Sequence, residues 1–457
     1  MSEPAPAGRL LSVLGLAFGL AGSVGGTIGA GILRTPGLVA AQLPSGPLVI
    51  GAWLLGGLYA LLGAVCIAEL AASLPRAGGW YVYAERAFGR RTGALVGWTD
   101  WLAHCIGLAW VATTTGELLA ALLPESLPAA IAGKGLALLV LALFSAIQLL
   151  GVRAGGTSQQ LLSLAKAAAL LGLVAVCFLR PSPFHPEPLP GGLPAEPAGL
   201  AVAAVLALQA VITTYDGWAS PVYFAEEFSD PTPDLPRSLI GGVLAVLGLY
   251  LLINLALLHA LPLRLLAQSS LPAADAARAL LGPAGGGLIT AVALVALLGL
   301  INTVVMAAPR ILYGLGRDGL LPAHLAGVSS GGTPVPALLI TAAAAALLVL
   351  AGSFERLLGM GAFLYVGLPL VGVAALLWLR RREPELPRPF QSWGYPLTPL
   401  LVAGVSLAFL LAALWSDTTN SLLALALAAA GSALLQQPPG LAQAAGLTEI
   451  AGEGDHR

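Results

Sequence analysis

Charged residues are scarce in this 457-residue chain, and their scarcity excludes an ordinary soluble domain. Asp, Glu, Lys and Arg make up 9% of the residues, against roughly 25% in soluble domains, while 58% are hydrophobic. The formal net charge of −1 argues against a nucleic-acid partner. The three cysteines, Cys66, Cys105 and Cys177, each lie inside an apolar run. Their spacing fits neither a disulfide framework nor a zinc site, so we expect small buried side chains and no metal or other cofactor.

Long apolar runs recur along the whole chain. A run of about 20 residues crosses the ~30 Å hydrocarbon core of a bilayer as a helix, which predicts an all-helical, polytopic membrane protein. One transmembrane domain is expected over 11–435, after a short N-terminus at 1–10 and before a polar, disordered tail at 436–457. The twelve predicted spans are approximately 11–41, 47–73, 92–122, 134–152, 157–179, 198–226, 237–261, 285–314, 334–352, 357–379, 394–416 and 418–435.

Arginine and lysine are unevenly divided between the two sets of loops. If the N-terminus is inside, the inner loops hold Arg9, Arg76, Arg86, Arg90, Arg91, Arg153, Arg237, Arg310, Arg317, Arg380, Arg381, Arg382, Arg388 and Arg457. The outer loops hold Lys134, Arg180, Arg264, Arg278 and Arg356. By the positive-inside rule, both termini should therefore be cytoplasmic, in the cell (inner) membrane.

Two spans are interrupted by residues that a helix in lipid should avoid. Span 1 contains GGTIGAGILRTPG at 25–37, and glycine costs about 1 kcal/mol per interior helix site relative to alanine. A break exposes backbone N–H and C=O groups, which hydrocarbon tolerates only where they line a cavity or bind something. Span 6 contains a comparable interruption, TTYDGWASP at 213–221. The sequence thus predicts two broken helices.

The two interruptions occupy corresponding places in a possible internal repeat. Two five-helix halves would cover about 11–179 and 198–379, with extra helices at about 394–435. An odd number of spans per half inverts the second half relative to the first. Paired interrupted helices in two such halves are typical of a transporter site near the membrane midplane.

The first interruption is predicted to hold an anion. Freed N–H groups around Ile28, Gly29, Ala30 and Gly31 can cradle a carboxylate, and the N-terminus of the following helix adds a favourable dipole. Close helix packing by small residues is an equal alternative for this cluster alone. The second interruption favours the binding site.

The second interruption is predicted to hold an ammonium group through the carbonyls of Thr213, Thr214 and Asp216. Donors in one helix and acceptors in another suit a zwitterion such as an α-amino acid. The Asp216 carboxylate has two interpretations, a ligand contact or, slightly favoured, a cap for the half-helix that follows. Tyr215 or Trp218 is predicted to act as a gate or substrate contact, with simple packing as the alternative.

Lys166 lies inside span 5. It would serve either as a fixed positive charge in the place of a sodium ion or as a proton carrier. The alternative is a side chain that snorkels to the cytoplasmic interface, where span 5 begins. The functional interpretation is favoured.

Other polar residues in the spans carry less specific signals. Asp100 and His104, at i and i+4 on one helix face, predict a hydrogen-bonded pair near the cytoplasmic end, with a proton relay as the alternative. Asn302 and Thr303 either face the cavity or join helices. The glutamates near inner span ends, Glu69, Glu226 and Glu227, should pair with loop arginines such as Arg76, Arg86 or Arg317.

Taken together, these segments resemble the amino acid–polyamine–organocation superfamily, and most closely bacterial members of its L-type amino acid transporter branch. The similarity extends from about residue 12 to 415. It rests on GGTIGAGILRTPG, AELAASLPRAGGWYVYAERAFG at 68–89, GVRAGGTSQQLLSLAK at 151–166, TTYDGWASPVYFAEEFSDPTPDLPRSL at 213–239, PRILYGLGRDGLLP at 309–322 and RPFQSWGYPLTPLL at 388–401.

The resemblance implies a LeuT-type fold of five-plus-five inverted repeats and alternating access around spans 1 and 6. It places the substrate carboxylate and amino group at the residues named above, and it matches Lys166 to a span-5 lysine that occupies a sodium site in relatives. One departure concerns Thr213, where relatives often carry an aromatic gate. Tyr215 or Trp218 would then take that role, or the side-chain pocket would be wider and more polar.

The leading function is therefore sodium-independent secondary transport of an amino acid, by proton coupling or exchange, with no partner subunit implied. Alternatives within the fold are a polyamine or cationic amino acid antiporter and a non-transporting receptor or channel. The sequence contains no Walker-type phosphate-binding loop, which argues against an ATP-driven pump. An intramembrane aspartyl enzyme built on Asp100 and Asp216 is disfavoured because the two residues are expected at different depths.

Overall fold

The computed structural model describes residues 9–123, 129–184, 197–351 and 354–434. Within these ranges the chain is helical, apart from connections and one isolated extended bridge between Leu14 and Phe228. The α-helices are α1 (Leu16–Thr27), α2 (Gly31–Gln42), α3 (Gly46–Ser73), α4 (Trp80–Phe88), α5 (Arg90–Ala120), α6 (Ala129–Leu149), α7 (Val152–Leu179), α8 (Pro197–Tyr215), α9 (Pro231–Ala260), α10 (Leu263–Gln268), α11 (Pro272–Leu281), α12 (Ala284–Arg317), α13 (Val335–Ala351), α14 (Phe354–Arg382), α15 (Leu397–Ser416) and α16 (Thr418–Leu434). Two 3-10 helices span Ser220–Glu227 and Ala323–Ala326. The predicted tail at 436–457 lies outside the described residues.

Each of the twelve predicted spans contains a helix, and the predicted fold class is confirmed. In the described part of the chain, eight helices are long and apolar enough to cross a bilayer, and α1 with α2, bent by 47°, makes nine. The remaining predicted spans contain α5, which carries charged residues along its 31 residues, and α13 and α16, which are shorter apolar helices. The division into inverted repeats stays a prediction.

Three helices lie where the sequence predicted only connections. α4 follows Gly78 and Gly79, whose φ angles of 125° and 75° turn the chain sharply, and it packs its buried residues against α5 and α14. α10 and α11 fill the long connection before α12, and both contact α2. They therefore cover α2, the second half of the first broken helix.

The two broken helices meet at their breaks. α1 ends at Thr27 and α2 begins at Gly31, while α8 ends at Tyr215 and a 3-10 helix, rather than an α-helix, resumes at Ser220. Gly217, in the second break, has a φ of 99°, a conformation that favours glycine. An added Cβ there would lie 2.2 Å from the carbonyl oxygen of Gly26. Glycine therefore lets the two backbones touch.

The glutamates at the span ends pair with arginines, but not always with the predicted ones. Glu226 bonds Arg317, as expected. Glu69 instead takes a bidentate bond from Arg380, at 2.6 and 2.8 Å, with Arg388 at 3.3 Å. Both arginines belong to the set expected in the inner loops, although neither was among the named examples. Arg380 reaches Glu69 because α3 packs against α14.

Glu227 pairs with Arg310, which the sequence analysis counted among the inner-loop arginines. It accepts bonds of 2.8 and 3.1 Å from Arg310, which lies within α12 rather than in a loop. The glutamate is fully buried and the arginine is 1% exposed. The 3-10 helix after the second break carries Glu227 into the bundle, against α12, so this pair is internal.

Candidate functional site

Backbone donors are free at the first break. The N–H of Ile28 still bonds the carbonyl of Val24, at 2.9 Å, and so closes the last turn of α1. In the described residues, no acceptor bonds the N–H groups of Gly29, Ala30 or Gly31. These three residues are partly exposed, whereas Ile28 is fully buried. The free donors thus begin one residue later than predicted.

Backbone carbonyl groups at the second break can accept hydrogen bonds, but some of them already have a donor. The carbonyl of Thr213 accepts only a long 3.4 Å bond from the N–H of Asp216. The carbonyl of Thr214 accepts the hydroxyl of Tyr250 at 3.3 Å, and Tyr250 also reaches the carbonyl of Thr27 at 3.1 Å. The tyrosine ties the two breaks together, so Thr213 offers the freer carbonyl.

Both breaks open into one cavity of about 160 Å³. Its remaining walls come from single faces of α5 and α12 and from α14. Because the spacing along α5 and α12 is three to four residues, each helix presents one stripe to the cavity. The lining residues are Gly26, Thr27, Gly29, Ala30, Gly31, His104, Gly107, Trp110, Val111, Thr213, Thr214, Asp216, Gly217, Ser220, Leu300, Thr303, Val304, Ala307, Gly361 and Tyr365.

The cavity thus collects six of the seven residues predicted to bind substrate. Gly29, Ala30 and Gly31 come from the first break. Thr213, Thr214 and Asp216 come from the second. Ile28 is the exception, since its side chain lies in the core and its N–H is already bonded.

Neither predicted gate residue lines this cavity. Tyr215 is 1% exposed and donates its hydroxyl to the carbonyl of Trp53 at 3.2 Å. Trp218 packs edge-on against Trp80, with ring centroids 6.4 Å apart. Both instead border a neighbouring space of about 20 Å³. The aromatic residues in the central cavity are Trp110 and Tyr365, which sequence reasoning did not single out.

Lys166 lies against the first break, inside the helix bundle. Its side chain is fully buried, and Nζ donates to the carbonyls of Gly25 and Ile28 at 2.8 and 2.9 Å. An added Cβ on Gly299 would lie 2.6 Å from the lysine Cε, so this glycine provides the room. The snorkelling alternative is wrong, because the ammonium fills acceptors that the break in α1 creates.

Of the two roles predicted for Asn302 and Thr303, facing the cavity or joining helices, each residue has a different one. Thr303 lines the cavity. Asn302 joins helices, bonding Gln148 at 2.9 Å and Gln159 at 2.8 Å.

The Asp100–His104 pair is confirmed as hydrogen-bonded, but His104 lies in the cavity wall. The i, i+3, i+7 spacing of His104, Gly107 and Val111 is the signal that could have identified this face of α5.

The fold and site define a multi-pass helical membrane protein with a cavity of about 160 Å³ between two broken helices. The family model described as amino acid permease matches residues 9–431, and the chain belongs to this family. The resemblance seen in the sequence is thereby confirmed.

Similar proteins share most of the chain. The serine/threonine exchanger SteT of Bacillus subtilis (strain 168) is 28% identical over 432 residues, covering 92% of this chain and 94% of that protein. The large neutral amino acids transporter small subunit 2 of Mus musculus is 29% identical, over 86% of this chain and 75% of the relative. The methylthioribose transporter of Bacillus subtilis (strain 168) is 28% identical, over 85% of each chain.

Proposed function

We propose that this protein is a secondary active transporter that carries an amino acid across the inner membrane by alternating access. The observation that carries the proposal is the complementary pair of breaks, with free donors on one side of a shared cavity and acceptors on the other. Such a pair matches the two ends of a zwitterion. The names of two relatives, a serine/threonine exchanger and a large neutral amino acid transporter subunit, support the substrate class.

The substrate carboxylate binds the N–H groups of Gly29, Ala30 and Gly31. These groups lie at the N-terminus of α2, where the helix dipole favours an anion. They lack a protein acceptor in the described residues, and unsatisfied backbone donors are costly in a membrane. A bound carboxylate would satisfy them.

The substrate amino group binds on the side of the second break. Thr213 offers the freer carbonyl, and the carboxylate of Asp216 lines the same cavity. Thr214 contributes less, since its carbonyl also accepts the Tyr250 hydroxyl. Trp110 and Tyr365, from the cavity walls, take the substrate-contact role first assigned to Tyr215 or Trp218.

Ion coupling does not require sodium in this proposal. The Lys166 ammonium already occupies the carbonyls of Gly25 and Ile28, which are the kind of oxygen ligands that a sodium ion would use. Transport then runs by exchange or with a proton. The arginine-rich ends of the spans face the cytoplasm, with both termini inside.

The test is exchange in proteoliposomes loaded with unlabelled amino acid. We expect saturable uptake of labelled amino acid that persists when sodium is replaced by choline. Lys166→Ala should reduce uptake or alter its pH profile while the protein stays monodisperse. Lys134→Ala is the matched control, because this other lysine of the chain is partly exposed and, within the described residues, bonds the carbonyl of Leu350 alone.

Three outcomes would contradict parts of the proposal. The absence of uptake for a full panel of amino acids and polyamines, at any pH gradient, would refute amino acid transport. Uptake of methylthioribose alone would assign the chain to the other substrate class found among its relatives. Strict sodium dependence would refute the role assigned to Lys166.

A further inference from the structure

A histidine in the cavity wall is held in one orientation by three neighbours. His104 Nδ1 lies 2.9 Å from the carbonyl oxygen of Asp100 and 3.1 Å from its carboxylate Oδ1. The ring packs edge-on against Tyr223 and Tyr365, with centroids 4.8 and 6.0 Å away. Such clamping fixes both the position and the rotation of the imidazole.

The neighbours are themselves fixed. Asp100 is fully buried, and its Oδ1 also accepts the hydroxyl of Tyr223 at 3.0 Å. Tyr365 donates its hydroxyl to the carbonyl of Ala103 at 3.0 Å. An added Cβ on Gly107 would lie 2.2 Å from that hydroxyl, so glycine permits the approach. The histidine therefore rests on a rigid, specifically shaped support.

The hydrogen bonds assign the ring tautomer. Because a carboxylate accepts hydrogen bonds, Nδ1 carries the proton toward Asp100, and neutral His104 is left with an acceptor lone pair on Nε2. Among the described residues, no group bonds Nε2. His104 lines the cavity although it is only 7% exposed, so Nε2 is available to a ligand there.

The surrounding walls favour a substrate whose side chain is small and carries one polar group. Val111, Leu300, Val304 and Ala307 are apolar, and the hydroxyl of Thr303 is already bonded to the carbonyl of Gly299 at 3.0 Å. The cavity, at about 160 Å³, is smaller than the ~300–1,000 Å³ of drug-sized ligand pockets. A hydroxyl both donates and accepts, so it pairs with Nε2 whether the imidazole is neutral or charged.

We propose that His104 recognises a hydroxyl on the side chain of the transported amino acid, and that Asp100 is the residue that positions it. The proposal rests on the amino acid transport proposed above. It makes His104 a specificity-determining residue, because a site built to bond a substrate hydroxyl rejects the analogue that lacks one.

Threonine and valine provide the test, since they have nearly the same shape and differ by the hydroxyl. Uptake of each is measured in proteoliposomes for the wild-type protein, His104→Leu, His104→Gln and Asp100→Asn. We expect the wild-type protein to prefer threonine by about 10-fold or more, the discrimination of one good hydrogen bond. His104→Leu should bring the ratio of threonine uptake to valine uptake close to one.

The remaining variants separate recognition from structure. His104→Gln keeps a polar amide at this place and should retain part of the preference. Asp100→Asn should also lose only part of it, because the backbone carbonyl of residue 100 still accepts from Nδ1 while the carboxylate that orients the ring is gone. Thr99→Val is the matched control on α5, since within the described residues its hydroxyl bonds the carbonyl of Leu95 alone, and Thr99 does not line the cavity. The control should keep the wild-type ratio.

The ratio of threonine uptake to valine uptake tests this inference separately from the proposed function. Equal transport of threonine and valine by the wild-type protein, or an equal fall of both in His104→Leu, would overturn the role of His104 and leave amino acid transport standing. No uptake of any amino acid by the wild-type protein would refute the transport proposal itself.

Discussion

Gly26 and Gly217 bring the two broken helices into direct backbone contact. An added Cβ on Gly217 would meet the Gly26 carbonyl oxygen at 2.2 Å, and one on Gly26 would meet the Gly217 carbonyl oxygen at 2.5 Å. The contact lies beside the cavity, which both residues line. The distance between the first break, with its free N–H groups, and the second break, with its carbonyl groups, therefore depends on two residues that lack side chains.

Gly217→Ala should abolish most transport and lower thermal stability. The substitution both opposes a φ of 99° and drives a methyl group into backbone, which cannot move aside as a side-chain end can. Uptake assays and thermal unfolding in detergent give the two readouts. Gly22→Ala, on α1, is the control, because an added Cβ there has no atom within 4 Å. Equal effects of the two substitutions would contradict the contact.

Gly299→Ala should mimic part of the loss seen in Lys166→Ala. The new methyl group would lie 2.6 Å from Cε and 2.9 Å from Nζ, so the end of the lysine side chain must shift, which weakens its bonds to the carbonyls of Gly25 and Ile28. We expect several-fold lower uptake in proteoliposomes.

A control on the same helix isolates this effect. Gly287→Ala also adds a methyl group to α12, but with no atom within 4 Å. It should leave uptake near the wild-type rate. Wild-type uptake by Gly299→Ala would show that the position of Lys166 does not matter for transport.

The breaks and the buried lysine could be predicted because each violates a rule for helices in lipid. A glycine cluster in span 1, a Gly/Pro interruption in span 6 and a lysine within span 5 all stand out against an apolar background. Six of the seven predicted substrate residues accordingly line one cavity. Local composition carries this information before any packing is known.

The cavity walls could not be predicted, because they depend on which face each ordinary apolar helix turns inward. Trp110 and Tyr365 resemble any other aromatic residues of membrane helices, and only packing aims them at the cavity. Tyr215 shows the reverse case, since it neighbours the break but points into the Trp53 and Tyr250 cluster. The direction of a side chain beside a helix break is set by tertiary contacts.

Glu227→Gln should destabilise the protein strongly. Its carboxylate is fully buried and forms a bidentate bond with Arg310, which is 1% exposed. Removing one partner of such a pair leaves an uncompensated buried charge and typically costs ~3–5 kcal/mol. Thermal unfolding of the purified variant measures the loss.

An exposed ion pair supplies the comparison for Glu227→Gln. Arg86 and Glu383 bond at 2.8 Å, but their side chains are 52% and 30% exposed. Glu383→Gln should therefore cost no more than about 1 kcal/mol. Similar stability losses in the two variants would mean that Arg310 and Glu227 are reached by water in the native protein.

Asp318, the residue that follows α12, stabilises the folded protein in its ionised form, so the free energy of unfolding should fall in acid. Burial acts to raise its pKa, but bonds from Arg317 and Tyr81, together with the charges of Arg317 and Arg76, lower that pKa below its ordinary value. A pKa that is lower in the folded state means that the contribution is complete above the unfolded pKa of about 3.9 and disappears as pH falls through the folded value. Asp318→Asn should thus be less stable than the wild-type protein at pH 7.

The stability difference between the wild-type protein and Asp318→Asn should shrink when thermal unfolding is repeated at successively lower pH below about 4. Other acidic groups titrate in both proteins, so the difference isolates this carboxylate. Tyr81→Phe removes one of the bonds, 2.9 Å long, while keeping the arginines, and should lose only part of the stability at pH 7. A difference that stays constant down to pH 2 would show that the ionised form of Asp318 is not what stabilises this end of the bundle, and that its contacts act through packing alone.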